Sequence, residues 1–444
     1  MNSIGPTRTR RDALRMLGIG ALGALGATAV AGGLTACAPS SGSSTTGGDA
    51  AAKDFTFTSW SLNEEPSKTV VQKIVDAWEK QEKSKIRTPS YPYNEYLSQL
   101  ILKLRGGETT GVIQLDIAWL GTLAAMGRLV DLEAQAKTGG YTEVALTSGQ
   151  YDGTQYGLPW TTGSIGLIAN GRLLDQAGIT KDPVTTQEFE DALRAVKDLG
   201  GGVIPYAAAT KVAQLKDILP WMQTFGCPLL EGGEGNSGGK VAIGDDASVD
   251  AVTWYKKLYD AKLIAADVDR FDARALFAQG KAGFYDDALV AKAVIAAQAK
   301  DAGLPDAMQP VVRPVLHSGD TPQALLWGHL LVVARGEGSD TAADFALHAT
   351  ADKATVVEYF EGLGLPPATT AGLTDPKVTA DTFITDWTER ITKTATGNPF
   401  WRYAKAAQID EAIAKQVQSV LIGQSSAKQA MRAAGEEVTT LIEG

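Results

Sequence analysis

The chain has 444 residues, 44% of them hydrophobic and 21% charged, with a formal net charge of −10. That length exceeds what one hydrophobic core serves, so two lobes are expected. The acidic balance argues against a nucleic-acid partner, because phosphate contacts need clustered Lys and Arg. Two cysteines, Cys37 and Cys227, are too few for a disulfide-stapled scaffold.

The first 36 residues read as an export signal. "TRTRRDALRM" supplies a basic head with Arg10 and Arg11, and "LGIGALGALGATAVAGGL" is a mildly apolar middle built from Gly and Ala. The paired arginines resemble a twin-arginine signal; a plain secretory signal is the alternative. The run closes on "LTAC", which looks like a lipobox. Its Cys37 thiol would form the thioether to a diacylglycerol and become the mature N-terminus. Residues 37–53, rich in Ser, Gly and Thr, would then be a flexible tether. Lipid chains on Cys37 would hold the protein on the outer face of the cytoplasmic membrane without spanning it. Removing residues 1–36, which carry a net +3, leaves 408 residues at −13. Cys227 is then the sole cysteine and reads as a small buried hydrophobe.

After the tether, strands alternate with helices, the pattern of an α/β fold with a mostly parallel sheet. "DFTFTSW" alternates like a strand. "SKTVVQKIVDAWEKQ" spaces Val70, Val71, Ile74, Val75 and Trp78 as the buried face of a helix. "KIRTPSYPY" reads as a strand, "NEYLSQLILKLRGG" as a helix closed by Gly106-Gly107, and "LDIAWL" as a short buried strand. "SIGLIAN" is a further strand, and "GRLLDQAG" a short helix. "DPVTTQEFEDALRAVKDLG" places Thr185 and Glu188 at capping-box spacing and predicts burial of Phe189, Leu193 and Val196. "ALLWGHLLVVAR" is a strand followed by a helix, and the chain ends in two helices, "DEAIAKQVQSVLIG" and "SSAKQAMRAAGEEVTTLIE".

Four of these stretches together resemble the extracellular solute-binding proteins of ABC importers, in their carbohydrate-binding, maltose-binding-protein-like branch. They are "LDIAWLGTLAAMGRLVDL", "YDGTQYGLPWTTGSIGLIANGRLLDQAGI", "ALFAQGKAGFYDD" and "LIGQSSAKQAMRAAGEEVTTLI". The resemblance implies two α/β lobes joined by crossing hinge strands, with a ligand cleft between them. On that reading the N-terminal lobe is 54–160 plus 325–372 and the C-terminal lobe 161–324 plus 373–444, with crossings near 160–164, 320–325 and 370–378. It also implies a carbohydrate ligand, an ABC permease as partner, a monomer and no cofactor. Physics favours the same place, since open α/β sheets bind ligands at the C-terminal ends of their strands.

A sugar offers apolar C–H faces and a rim of hydroxyls, so aromatic rings and charged or amide groups should line its site. Trp60, with Ser61, Asn63 and Glu64, leaves the first strand. Trp119 follows "DIA", and Trp160 stands at a strand end with Thr161 and Thr162. Trp327 precedes Gly328, a residue that would let a ligand approach closely. Trp221 follows Pro220 near a helix start, and Tyr285 and Asp286 end a strand. Trp401 and Arg402 lie where the resemblance places an aromatic contact. Trp78, Trp254 and Trp387 are read as core. Trp160 in particular is expected to be a cleft platform, not buried filler.

Catalysis is not expected. The sequence has no G-x-S-x-G elbow, HExxH or P-loop. Its histidines, His317, His329 and His348, are too widely spaced for a metal site, and His329 reads as a satisfied interior residue. A secreted glycosidase would have to recruit Asp286 with Glu64 as its carboxylate pair. The same fold could instead carry a polyamine, a glycerol phosphate ester or a peptide.

Overall fold

The computed structural model describes residues 54–233 and 237–444; the signal, Cys37 and the tether lie outside them. At its centre is a nine-stranded mixed sheet. The strands are β1 (Phe55–Thr58), β2 (Ile86–Arg87), β3 (Gly111–Asp116), β4 (Gly157–Asn170), β5 (Ile204–Ala207), β6 (Ala282–Asp287), β7 (Met308–Val311), β8 (Ala324–Ala334) and β9 (Ala395–Thr396). They run in the order β2-β1-β3-β8-β4-β6-β5, with β7 also on β4 and β9 on β8. The outer pairs, β2 with β1, β1 with β3, and β6 with β5, are parallel. The central pairs are antiparallel.

The strand β4 belongs to both halves of this two-lobed α/β fold. Residues 157–165 pair with β8, and from Gly166 onward the partners are β6 and β7. The change falls between Ile165 and Gly166. There the chain is pinned by the segment after Thr382: Trp387 Nε1 donates to Ser164 Oγ at 2.9 Å, and Thr392 Oγ1 shares a bond with the same oxygen at 2.9 Å. A Cβ on Gly166 would lie 2.7 Å from Ile391, so only glycine lets this segment approach.

Local sequence accounts for most elements. The helix Ser67–Glu82 buries Val70, Val71, Ile74, Val75 and Trp78, the stripe that 3.6-residue periodicity requires. Thr186–Asp198 begins with the expected capping box, in which Thr185 accepts from Glu188 N and the Glu188 carboxylate accepts from Thr185 N. Phe189, Leu193 and Val196 on that helix are fully buried. The last two helices, Ala406–Leu421 and Ala427–Glu443, pack on each other.

Two elements differ from expectation. "LDIAWL" is not a strand throughout: β3 starts earlier, at Gly111, and stops at Asp116. Asp116 Oδ1 accepts from Ala118 N at 2.9 Å and turns Ile117–Trp119 into a 3₁₀ helix. "KIRTPSYPY" yields only the two-residue β2, because its prolines, Pro89 and Pro92, cannot donate to a ladder.

Apolar packing forms one cluster confined to the first half, around Tyr96, Leu100 and Leu330, and one confined to the second, around Phe189, Tyr206 and Ile413. A third runs through the centre and includes Phe57, Trp160, Phe277, Leu289 and Trp387. Cys227 is buried in the second cluster, and burial pushes its thiol up to about 12, which leaves it an inert apolar group. No described helix is long and apolar enough to cross a membrane.

Replacing Thr185 with Ala removes one half of the capping box. The expected loss is about 1 kcal/mol of stability, read as a lower urea midpoint with an unchanged slope.

Candidate ligand cleft

A narrow cleft lies between the two halves. The first half contributes Trp60, Ser61 and Glu64 from the turn after β1, Tyr93 from the start of the helix Tyr93–Arg105, and Trp327 and His329 from β8. The second half contributes Arg270, Phe271 and Arg274 from the helix Arg270–Ala278, Asp287 from the end of β6, and Gln214.

The aromatic wall is closely packed. Trp60 meets Tyr93, Trp119 and His329 edge-on, with ring centroids 5.5, 5.8 and 4.8 Å away. Trp327 lies edge-on to His329 at 4.4 Å. Alternation along β8 puts Trp327 and His329 on one face, so both rings reach the same cleft. Beneath them Gln114 is fully buried: its Oε1 accepts from Ser59 Oγ at 2.5 Å, and its Nε2 donates to His329 Nδ1 at 3.3 Å. His329 Nδ1 is therefore an acceptor, and the neutral ring carries its proton on Nε2.

The facing wall is charged and internally neutralised. Arg274 grips Asp287 through two bonds, Nε at 2.7 Å and Nη2 at 2.8 Å. Arg270 Nη2 reaches both oxygens of Asp217, at 2.5 and 2.7 Å. The two-nitrogen grip of Arg274 fixes guanidinium orientation as well as charge. Burial raises the Glu64 carboxyl above its ordinary value, while Arg274 pulls it back and Asp287 adds to the rise. Three buried polar atoms of cleft residues have no partner within the protein: Gln214 Oε1, Arg270 Nε and the Tyr359 hydroxyl.

Of the residues singled out from sequence, the structure brings Trp60, Ser61, Glu64 and Trp327 into this cleft. Trp119 lines an adjoining, wider cavity, and Trp401 and Arg402 line a third. Arg402 donates to the Gly232 carbonyl at 3.0 Å. Asn63 is exposed and Thr162 half-buried, and neither lines these cavities.

Six expectations are corrected. Trp160 is core: it is 1% exposed, stacked on Tyr359 at 4.5 Å and flanked by Phe57, so no face is left for a guest. Thr161 is buried and donates to the Pro366 carbonyl at 2.8 Å. Trp221 is sealed in the second core, stacked on Phe189 and capped by Arg313 at 4.6 Å. Tyr285 is packed on Phe277. Asp286 points away from the cleft, paired with Arg313 at 2.7 Å and accepting from the Tyr206 hydroxyl. Gly328 makes room for protein, since a Cβ there would lie 2.6 Å from the Thr161 carbonyl.

The reading missed Asp287, whose side chain alternation turns to the opposite face from Asp286. It also missed Tyr93, Gln214, Arg270, Phe271 and Arg274, all on the N-terminal turns of helices or on loops, where no periodic pattern announces a site. His329 is interior, as expected, but it is also part of the cleft wall.

Two stability predictions follow from these charges. Arg313→Met leaves Asp286 buried without its cation and should cost about 3–5 kcal/mol in urea unfolding; Arg313→Met with Asp286→Leu should recover most of it. Burial pushes His329 down to about 4, against the upward pull of Asp116. The unfolded chain takes up this proton near pH 6.5, so the contribution is intact above that pH. It is lost on acidification toward pH 4, by about 3 kcal/mol in all. His329→Gln should flatten the fall of the thermal midpoint across that window.

A family description, bacterial extracellular solute-binding protein, matches residues 73–385. A search of curated protein sequences returned no match. Among solved structures, the chain is similar to the GacH receptor of Streptomyces glaucescens, solved unliganded and with acarbose and an acarbose homolog. The identity is 23% and the TM-score 0.77, over 88% of this chain and 98% of that one. It is similar to T. maritima MalE3, solved with maltose, at 20% identity and TM-score 0.77, over 87% and 99% of the two chains. It is also similar to the MalE domain from Bdellovibrio bacteriovorus, solved with maltotriose, at 16% identity and TM-score 0.75, over 88% and 100%. These likenesses share the two-lobed architecture, and the family match spans most of the chain: the protein belongs to the bacterial extracellular solute-binding proteins.

Proposed function

We propose that the protein is the receptor of an ABC importer, capturing a mono- or oligosaccharide between its halves and delivering it to a membrane permease. The observation that carries this reading is the pairing of walls in one cleft. Aromatic rings of Trp60, Trp327 and Tyr93 line one side; the polar side chains of Arg270, Arg274, Asp287 and Gln214 line the other. A pyranose ring has that same division between C–H faces and hydroxyl edges. The similar structures solved with acarbose, maltose and maltotriose support the same class of ligand.

The electrostatics favour a neutral guest. Each cleft arginine is already balanced by a carboxylate, Arg270 by Asp217 and Arg274 by Asp287, so no net positive charge is offered to a phosphate ester. A ligand that touches both walls binds the closed arrangement better than an open one, which is the thermodynamic requirement for closure. Asp286, turned into the second core against Arg313, is not placed to act across a scissile bond with Glu64. In this reading residues 1–36 direct export, Cys37 carries the lipid, and the protein works as a monomer without a cofactor on the outer membrane face.

Isothermal calorimetry against mono-, di- and oligosaccharides, with spermidine and glycerophosphodiesters as controls, tests the reading. A sugar should bind near micromolar, about −8 kcal/mol. Trp327→Ala should weaken binding by more than ~1 kcal/mol without unfolding the protein. Trp160→Ala should act on stability, by about 3–5 kcal/mol. Binding of spermidine or a phosphodiester with no sugar bound would replace the carbohydrate reading.

A further inference from the structure

Tyr93 lines two cavities at once, the narrow cleft and the wider adjoining cavity. The segment Val212–Ile218 runs along both, with Gln214 facing the first and Lys216 the second. The two spaces are therefore neighbours on one seam between the halves, with Tyr93 as their shared wall.

That wall is braced from both sides. The Tyr93 ring leans across the seam onto Phe271, with centroids 5.8 Å apart, and is backed by Trp119 at 5.0 Å. Its hydroxyl donates to Asp116 Oδ2 at 2.7 Å, a charge-assisted bond that swinging the ring aside would break. Phe271 is equally fixed: its backbone N–H is held by Asp269, the cap of its helix. The next residue along, Asn94, reaches the Asp269 carboxylate at 3.4 Å and extends the contact between the halves.

We propose that the Tyr93–Phe271 contact sets the length of the bound carbohydrate: the protein takes one or two sugar units and excludes longer chains. This rests on the carbohydrate reading and adds a size limit to it. The adjoining cavity already has the makings of further sugar contacts, an indole from Trp119 and polar groups from Lys216 and Asp410. A guest in the cleft cannot extend into it while the two rings meet. Removing either ring should join the spaces, whereas Tyr93→Phe keeps the ring and should keep the limit.

Calorimetry with α-1,4-gluco-, β-1,4-gluco- and β-1,4-xylo-oligosaccharides of one to four units reads this directly. The expected result is binding of one- or two-unit members of at least one series, with three- and four-unit members at least 100-fold weaker. In Tyr93→Ala and in Phe271→Ala that gap should narrow at least tenfold through gained affinity for the long members. Each variant is checked for its thermal midpoint, and either one that folds suffices. Equal wild-type affinity for short and long members overturns the length limit and leaves the carbohydrate reading standing. A gap unchanged in a folded alanine variant also overturns it. If no series binds, the carbohydrate reading falls and the length limit with it.

Discussion

The geometry of the cleft depends on one strand being shared. Because β4 bonds to β8 along residues 157–165 and to β6 and β7 from Gly166, neither half can place its sheet independently of the other. Backbone hydrogen bonds along a buried strand are obligatory, so the register is fixed wherever both faces are covered. That register brings the end of β6, with Asp287, opposite Gly166 and sets it near the turn that carries Trp60 and Glu64. The partner of β4 changes between Ile165 and Gly166. Movement of one half against the other would be absorbed at a few such residues.

Two kinds of buried charge serve different ends. Arg313 with Asp286 is walled inside the second half, with Tyr206 and Trp221 around it. Breaking such a pair is costly, although its net contribution to stability is small. Arg270 with Asp217 and Arg274 with Asp287 are built alike but border the cleft. There the carboxylates hold the guanidinium groups still and leave Arg270 Nε pointing at no protein acceptor. Donors fixed in place lose little entropy when a guest arrives, which is how a small cleft reaches useful affinity.

The aromatic wall follows the same logic. Trp60, Tyr93, Trp119, Trp327 and His329 touch one another edge-on or tilted, so each ring is held by its neighbours before any ligand enters. Gln114 underlies them as a buried polar support, satisfied by Ser59 and His329. Trp160, next along β4 to the cross-strand partner of His329, belongs instead to the packing between β1 and the helix Lys353–Leu363, where it stacks on Tyr359.

Sequence by itself determined the α/β class, the amphipathic helices, the capping box at Thr185 and the candidacy of Trp60, Glu64 and Trp327, since each rests on local periodicity or on a position at a strand exit. Only the tertiary structure decided which exits meet. Trp60 and Trp160 look alike along the chain and both are nearly buried, yet Trp60 lines the cleft while a helix far away in sequence stacks Tyr359 on Trp160 inside the core. Asp286 and Asp287 differ by one residue and face opposite sides of β6, a distinction that needs the register with β4. Arg270, Phe271 and Arg274 carry no mark in a linear reading, because a helix's first turns become a binding wall only when another part of the chain is folded against them. Long-range contact, which no local propensity encodes, is the physical reason that the fold was legible and half of the cleft was not.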